Sequence, residues 1–283
     1  VREVDPMKRI AFVILVLAAV PLIAQQGKEF VPECTLPFDQ VAAKQDFDEV
    51  CGIDGTGATD PKVLQNHAKN NFCATGDPVL VTFASFKKLE TLVEDPTKGL
   101  GPHFSVPKTR DKLVNIAYKT SEGESASEGT IVTLAAFIQE AHFADTSSGE
   151  DVNCSMKGAE NNDVHIALAQ SGKETDECKS VTAEMSPHYR PPLWAEKVLN
   201  SIKNPVRITG QLMFDASHHP CSGAKRPNPL RMSSWEIHPV YNIEVCKKAS
   251  LASCKADNDT VWESLDAYMN PATKIHKEDA EGQ

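Results

Sequence analysis

Apolar positions along the chain follow three rhythms. The first is an almost unbroken apolar run over residues 10–24 (IAFVILVLAAVPLIA), led by Lys8-Arg9 and followed by Gln25-Gln26. It falls short of the roughly 20 apolar residues that a spanning helix needs. A basic start, an apolar middle and a small residue before a polar stretch predict a signal peptide cut after Ala24, with residues 1–6 as an upstream extension. The second rhythm is helical. Residues 61–72 (PKVLQNHAKNNF) predict a short helix with Pro61 at its first position and Asp60 as its cap. Residues 83–94 predict a second, with Phe86, Leu89, Leu92 and Val93 on one face, and residues 192–202 a third, with Trp194, Val198, Leu199 and Ile202 as its stripe.

The third rhythm is alternation. Residues 129–143, 163–169 (DVHIALA), 179–185 (KSVTAEM), 206–215 (VRITGQLMFD) and 235–245 (WEIHPVYNIEV) each predict a strand. The fold class expected is mainly β with helices (α+β). Three strands, a helix and two further strands follow the order of a five-stranded OB-like barrel, here preceded by a small helical region. Gly210 would permit the bend that a small barrel needs in its fourth strand. The organisation expected is a leader over 1–24, a helical, disulfide-containing region with its linker over 25–110, the OB-like domain over 111–248, and a polar tail over 249–283. Residues 27–50 carry no strong period, and residues 146–162 read as a polar loop.

Composition narrows the choices. With 39 acidic against 29 basic side chains the net charge is -10, which weighs against broad nucleic-acid or anionic-membrane binding. After removal of the leader no membrane span remains, so the expected location is secreted or periplasmic. Eight cysteines in an exported chain predict disulfides, and the absence of any CxxC pair argues against a zinc knuckle. Proximity in sequence suggests Cys51 with Cys73 and Cys154 with Cys178.

Alternation also assigns the polar positions. If Val164, Ile166 and Leu168 face the core, His165 faces the other way with Asp163. The same reasoning puts Glu184, Gln211, Asp215, Glu236 and His238 opposite the core, with His218 and His219 just past the fourth strand. Convergence of those faces would gather Asp163, His165, Glu184, Asp215, His218, Glu236 and His238. Such a group offers ligands for a divalent metal (Zn, Mn or Fe) in Asp163, His165, Asp215, His218 and His238, and acid–base groups in Glu236, His238 and Glu184. Asp163, His165, Asp215 and His218 would equally bind a ligand without chemistry. Sheet faces are often polar, and Asp–His or Glu–His pairs also form as plain hydrogen-bonding partners. Lys69-Asn70-Asn71 reads as a helix end with a structural role, His103 and His142 as surface residues, and Trp194 and Trp235 as core. No GxSxG elbow, P-loop or HExxH is present.

The segments DVHI, TAEMSP, VRITGQLMFDASHH and SSWEIHPVYNIEVC resemble those of a family of bacterial, often exported proteins with D-x-H, T-G-x-x-x-F-D-x-x-H and E-(I/L)-H-P-V motifs. The resemblance covers about residues 50–247. It marks Asp163, His165, Asp215, His218, Glu236, His238 and Pro239, includes LQNHAKNNFC as a Lys-Asn element, and implies a fold and a residue set but no reaction. Residues 225–232 and the extra cysteines depart from the pattern. Three functions follow as expectations. One is an exported OB-fold binding module for an extracellular oligosaccharide or protein. Another is a metal-dependent hydrolase, a phosphodiesterase or nuclease among the options. The third is a structural protein.

Overall fold

The structure is a computed structural model. It describes residues 50–57, 59–100, 110, 112–144 and 146–270. The leader reading, Cys34, His103 and most of the expected linker lie outside the described residues. The fold is mixed α+β, a mostly sheet core with four α-helices among the described residues. In chain order these are α1 (Asp60–Lys69), β1 (Val79–Val81), α2 (Phe83–Glu94), β2 (Tyr118–Lys119), β3 (Ser125–Ala126), β4 (Ile131–Phe143), β5 (Val164–Ala169), β6 (Val181–Met185), α3 (Glu196–Ser201), β7 (Val206–Phe214), β8 (Trp235–Cys246), β9 (Trp262–Ser264) and α4 (Leu265–Met269).

The five long strands fall where alternation and β-branched content put them. β4 is long enough to serve two neighbours. Residues 131–136 pair antiparallel with β7, and residues 137–143 pair antiparallel with β5, with a register shift between Ile138 and Glu140. β5 pairs antiparallel with β6, β6 meets β8 in parallel at Ala183 and Ile237, and β8 runs antiparallel to β7. β1 and β9 extend the sheet along β4 and β8, and β2 and β3 form a separate ribbon. Register shifts flank Gly210, where an added Cβ would stand 2.7 Å from Ile237 Cγ2 and against the Pro239 carbonyl. Only glycine fits that close approach of β7 to β8.

One apolar core runs through the molecule. Val164, Ile166, Leu168, Val181, Ala183, Met185, Ile208, Leu212, Phe214, Trp235 and Ile237 pack with Phe86, Leu89 and Val93 of α2, so the helical region and the sheet share it. α2 follows the expected bounds. Thr82 caps it, and Ser85 completes a reciprocal capping box. The other two helices are shorter than their patterns. α1 begins one residue earlier, with Thr59 rather than Asp60 at the cap, and stops at Lys69, where residues 70–72 turn away to bond the sheet. α3 begins only at Glu196, because residues 191–194 form a turn closed by the Trp194 N–H on the Pro191 carbonyl. Trp194 and Trp235 are buried, as expected.

The cysteine pairing differs from the local one expected. Cys51 bonds Cys154, and Cys178 bonds Cys221; Cys246 bonds Cys254, and Cys73 is in a disulfide too. The reason is tertiary. The turn carrying Cys51 is docked on the loop before β5, with the Thr56 N–H donating to the Asp151 carbonyl at 2.8 Å and Lys62 Nζ 2.9 Å from Asp151 Oδ2. Disulfides of this number persist in oxidising compartments. Among the described residues no helix is long and apolar enough to cross a membrane. Residues 249–270 carry β9, α4 and a disulfide, with Trp262 and Leu265 buried.

Candidate functional site

The inner strands are buried on both faces. One face meets the apolar core. The other carries His165 of β5, Thr182 and Glu184 of β6, Gln211 of β7, and Glu236 and His238 of β8. Side chains alternate along each strand, and the register aligns the polar ones. His165 stands opposite Glu184, and Ala183 opposite Ile237, which sets Glu184 level with Glu236 and His238. Asp163 enters from the residue before β5, and Asp215 from the residue after β7. The layer is roofed by α1, whose inward face is polar because it covers this layer and not the core: Gln65, Asn66 and Lys69 are buried there. Polar bonds dock it. Gln211 Nε2 donates to the carbonyls of Ala68 (2.7 Å) and His238 (2.8 Å), Asn71 Nδ2 donates to Gln211 Oε1 (2.5 Å), and Gln65 Nε2 donates to Ser217 Oγ (2.7 Å).

Two groups of three ligand-type side chains lie within this layer, Asp163–Glu184–His238 and Glu184–Asp215–Glu236, each with one ligand atom per residue within 4.8 Å of the others. In the first, His238 Nε2 faces Asp163 Oδ2 at 3.5 Å, and neither atom has a hydrogen-bond partner although both are buried. On the far side of the ring, Nδ1 lies 3.2 Å from Glu236 Oε1 in a hydrogen bond and 2.8 Å from Glu184 Oε2. That second contact is the closer of the two, and the Glu184 charge is the strongest of those holding the proton on the ring. Asp163 Oδ1 accepts from Asn153 Nδ2 at 2.9 Å, which holds its carboxylate in place. In the second group the guanidinium of Arg231, itself fully buried, lies 2.8 Å from Glu236, 3.3 Å from Asp215 and 3.6 Å from Glu184.

The electrostatics follow from burial set against neighbours. For Lys69, burial opposes charge, but Glu184, Asp215, Glu236 and Glu150 outweigh it and hold the ammonium above its ordinary range. For His238, burial again opposes charge, and Glu184, Glu236 and Asp163 reverse the outcome, pushing the imidazole up to about 10. His165 goes the other way. Burial dominates, Arg231 and Lys69 add to it, and the ring falls to about 4 in spite of Glu184 and Asp163. Burial would raise Asp215 and Glu184. Lys69, His218 and Arg231 keep Asp215 far below the carboxylate range, and His165, Lys69 and His238 keep Glu184 well below it. Glu150 is pushed up to about 8 by burial and by Asp163 and Glu184. Burial thus shifts both His165 and Glu150, 4.0 Å apart, toward their uncharged forms.

A cleft of about 450 Å³ opens onto this layer. Lys62, Gln65, Asn66 and Lys69, spaced along one face of α1, form one wall, and Glu150, Ser217 and His218 lie across from them. Lys69 and Glu150 belong both to the cleft and to the layer beneath, so they form its floor. His218 Nδ1 lies 2.5 Å from Asp215 Oδ2 at the rim, with its side chain 33% exposed.

Six of the residues picked out by alternation, Asp163, His165, Glu184, Asp215, Glu236 and His238, therefore meet in one buried layer. His218 joins at the edge through Asp215 and is more than 4.0 Å from every other acid among the described residues. Sequence reasoning gave Lys69 a structural role at a helix end and did not select Glu150 or Arg231. Lys69 shares a helical face with Gln65 and Asn66, a spacing that could have flagged it. Glu150 and Arg231 come from irregular segments with no period to read. His142 is not a lone surface residue: it is half-buried, with its ring 5.6 Å from that of His165. The chain matches no protein-family model, and no curated protein or solved structure is detectably similar to it.

Proposed function

We propose that the protein is a metal-dependent hydrolase built on an OB-type barrel, with one divalent cation held by Asp163, Glu184 and His238. Strand pairing supports the barrel: each of β4 to β8 has two partners among themselves, in the order β4-β5-β6-β8-β7 and back to β4, with β6 and β8 parallel. The observation that carries the metal reading is the buried pair His238 Nε2 and Asp163 Oδ2, 3.5 Å apart without a hydrogen bond, where a cation would take the place of the Nε2 proton. Two ligand atoms about 2.1 Å from a tetrahedral ion stand roughly 3.4 Å apart, so the spacing fits. The hydrogen bond from Nδ1 to Glu236 supports it further, because a carboxylate on the far ring nitrogen directs Nε2 toward a metal.

A divalent cation there would lower the pKa of a bound water and make hydroxide available near neutral pH. The chain supplies the remaining parts. His165, 3.3 Å from Glu184 Oε1, stands beside these ligands where a base for the bound water is needed. Lys69 and His218 at the floor and rim of the cleft can meet negative charge that develops on a substrate oxygen. A carboxylic ester or a phosphodiester suits such a site. The second reading is a binding module that uses the same cleft without chemistry. It is favoured by Arg231 and Lys69, which already neutralise part of the acidic layer.

The test is metal content of the purified protein by elemental mass spectrometry, beside His238→Gln and Asp163→Asn. One Zn, Mn or Fe per chain, lost in both variants with near-UV circular dichroism preserved, is expected, and ester and phosphodiester turnover should be lost with it. A wild type that takes up none of these ions on reconstitution sinks the hydrolase and leaves the binding module.

A further inference from the structure

The two ligand groups share Glu184, one leading to Asp163 and His238 and the other to Asp215 and Glu236. Two adjacent sites bridged by one carboxylate are the layout of a centre for two cations, in which metal ions stand about 3.5–4 Å apart. Here the second position is filled from within. Arg231 reaches all three members of that group, at 2.8, 3.3 and 3.6 Å, with no exposed surface. The only other ammonium or guanidinium near these acids among the described residues is that of Lys69, 3.8 Å from Glu184 and within 4.0 Å of neither Asp215 nor Glu236. Glu184, fully buried and common to both groups, lies 2.8 Å from His238 Nδ1, 3.3 Å from His165 Nε2 and 3.6 Å from Arg231.

We infer that Arg231 occupies the second cation position of a centre laid out for two, and so fixes the protein at one metal ion per chain. A guanidinium is permanently charged and cannot be displaced by competition for a proton. It neutralises Asp215 and Glu236 without offering a coordination site. The remaining metal would therefore sit beside a fixed, buried positive charge. Arg231 is tethered in place by the segment that Cys221 anchors to Cys178, whose own backbone closes on it: the Cys221 N–H donates to the Arg231 carbonyl at 2.9 Å. The second site would take the same hard or borderline divalent ions as the first, with oxygen ligands from Glu184, Asp215 and Glu236, which favours Mn or Mg over Zn.

This inference rests on the metal reading of Asp163, Glu184 and His238. Its test is the stoichiometry of Mn binding by calorimetry and by electron paramagnetic resonance, for wild type, Arg231→Ala and Arg231→Lys. The expected result is one Mn in wild type and in Arg231→Lys, and two in Arg231→Ala, with the spin–spin broadening of a coupled pair. Should Arg231→Ala unfold without metal, the dependence of its Tm on free Mn reads the same count, since each ion taken up on folding steepens it. One Mn in both wild type and Arg231→Ala overturns the inference and leaves the first site standing. No Mn in either removes both. Two in wild type also overturns it, because Arg231 would then exclude nothing.

Discussion

Arg110 and Glu128 are fully buried and form an ion pair beneath the end of β7, where Arg110 Nη1 donates to the Phe214 carbonyl at 3.1 Å and the Phe214 N–H donates to Glu128 Oε2 at 2.8 Å. Both partners therefore hold the strand just before Asp215. Removing one leaves the other charge uncompensated in the interior, a loss of about 3–5 kcal/mol. Glu128→Ala should lower stability by that amount in urea unfolding, whereas Arg110→Met with Glu128→Leu should recover most of it. A double variant as unstable as the single one would show that the polar bonds to Phe214, not charge compensation, carry the effect. The site residues legible in the sequence share a different property. Asp163 with His165, and Glu236 with His238, sit two apart on strands, so each pair's direction is fixed by alternation alone. Lys69, Glu150 and Arg231 enter the same layer from a helix end and two irregular segments. Tertiary docking sets the direction of Glu150 and Arg231 and leaves no period to read, whereas Lys69 follows the helical face of Gln65 and Asn66.

At the scale of the element, α2 shows how one buried acid ties a helix to the site. Glu90 accepts from Ser233 Oγ at 3.0 Å and from the Ser234 N–H at 2.7 Å, just ahead of β8 and Glu236. Burial raises its carboxyl to about 7; the two serine bonds and the Arg231 charge pull it down, and Glu94 adds to the rise. An acid whose folded pKa exceeds its unfolded value binds its proton more tightly when folded. The stability it contributes is full below about pH 4.5 and is lost as pH rises to about 7. A shift of this size corresponds to roughly 3 kcal/mol. Wild type should therefore lose roughly 3 kcal/mol more than Glu90→Gln between pH 4.5 and 8 in urea unfolding series, and parallel profiles would refute it. α2 itself was legible because its apolar stripe lies within it. The ends of α1 and α3 were not, since they are cut by contacts to Gln211 and by the Pro191 turn. Gly210 was legible as a bend, but the reason it must be glycine, the approach of the Pro239 backbone, lies on another strand.

Across the whole molecule the site is assembled from chain segments far apart in sequence, and the disulfides decide how firmly they stay together. The Cys51–Cys154 bond spans 103 residues and joins the turn before α1 to the loop that supplies Glu150 and Asp163. It thereby links the roof of the polar layer to one side of the cleft. The Cys246–Cys254 bond spans 8 residues at the opposite end, near β9. Chain entropy makes the first the stronger constraint on the unfolded state, worth about 4.7 kcal/mol for a loop of that length, and the second clearly weaker. Position matters more for function. The side-chain bonds that also join this loop to α1 and the turn before it, those of Lys62 and Thr56 to Asp151 and of Thr56 to Ser155, are exposed and contribute little each. Without the disulfide Asp163 would be held less firmly against His238. Cys51→Ser with Cys154→Ser should lower stability by about 4.7 kcal/mol and weaken Mn binding at least tenfold, whereas Cys246→Ser with Cys254→Ser should lower stability less and leave Mn affinity within twofold. Calorimetry on both pairs separates the two effects. Equal losses of affinity would mean that the disulfides act only through global stability. A selective loss in the first pair would mean that the covalent link between roof and loop is part of how the protein holds its site.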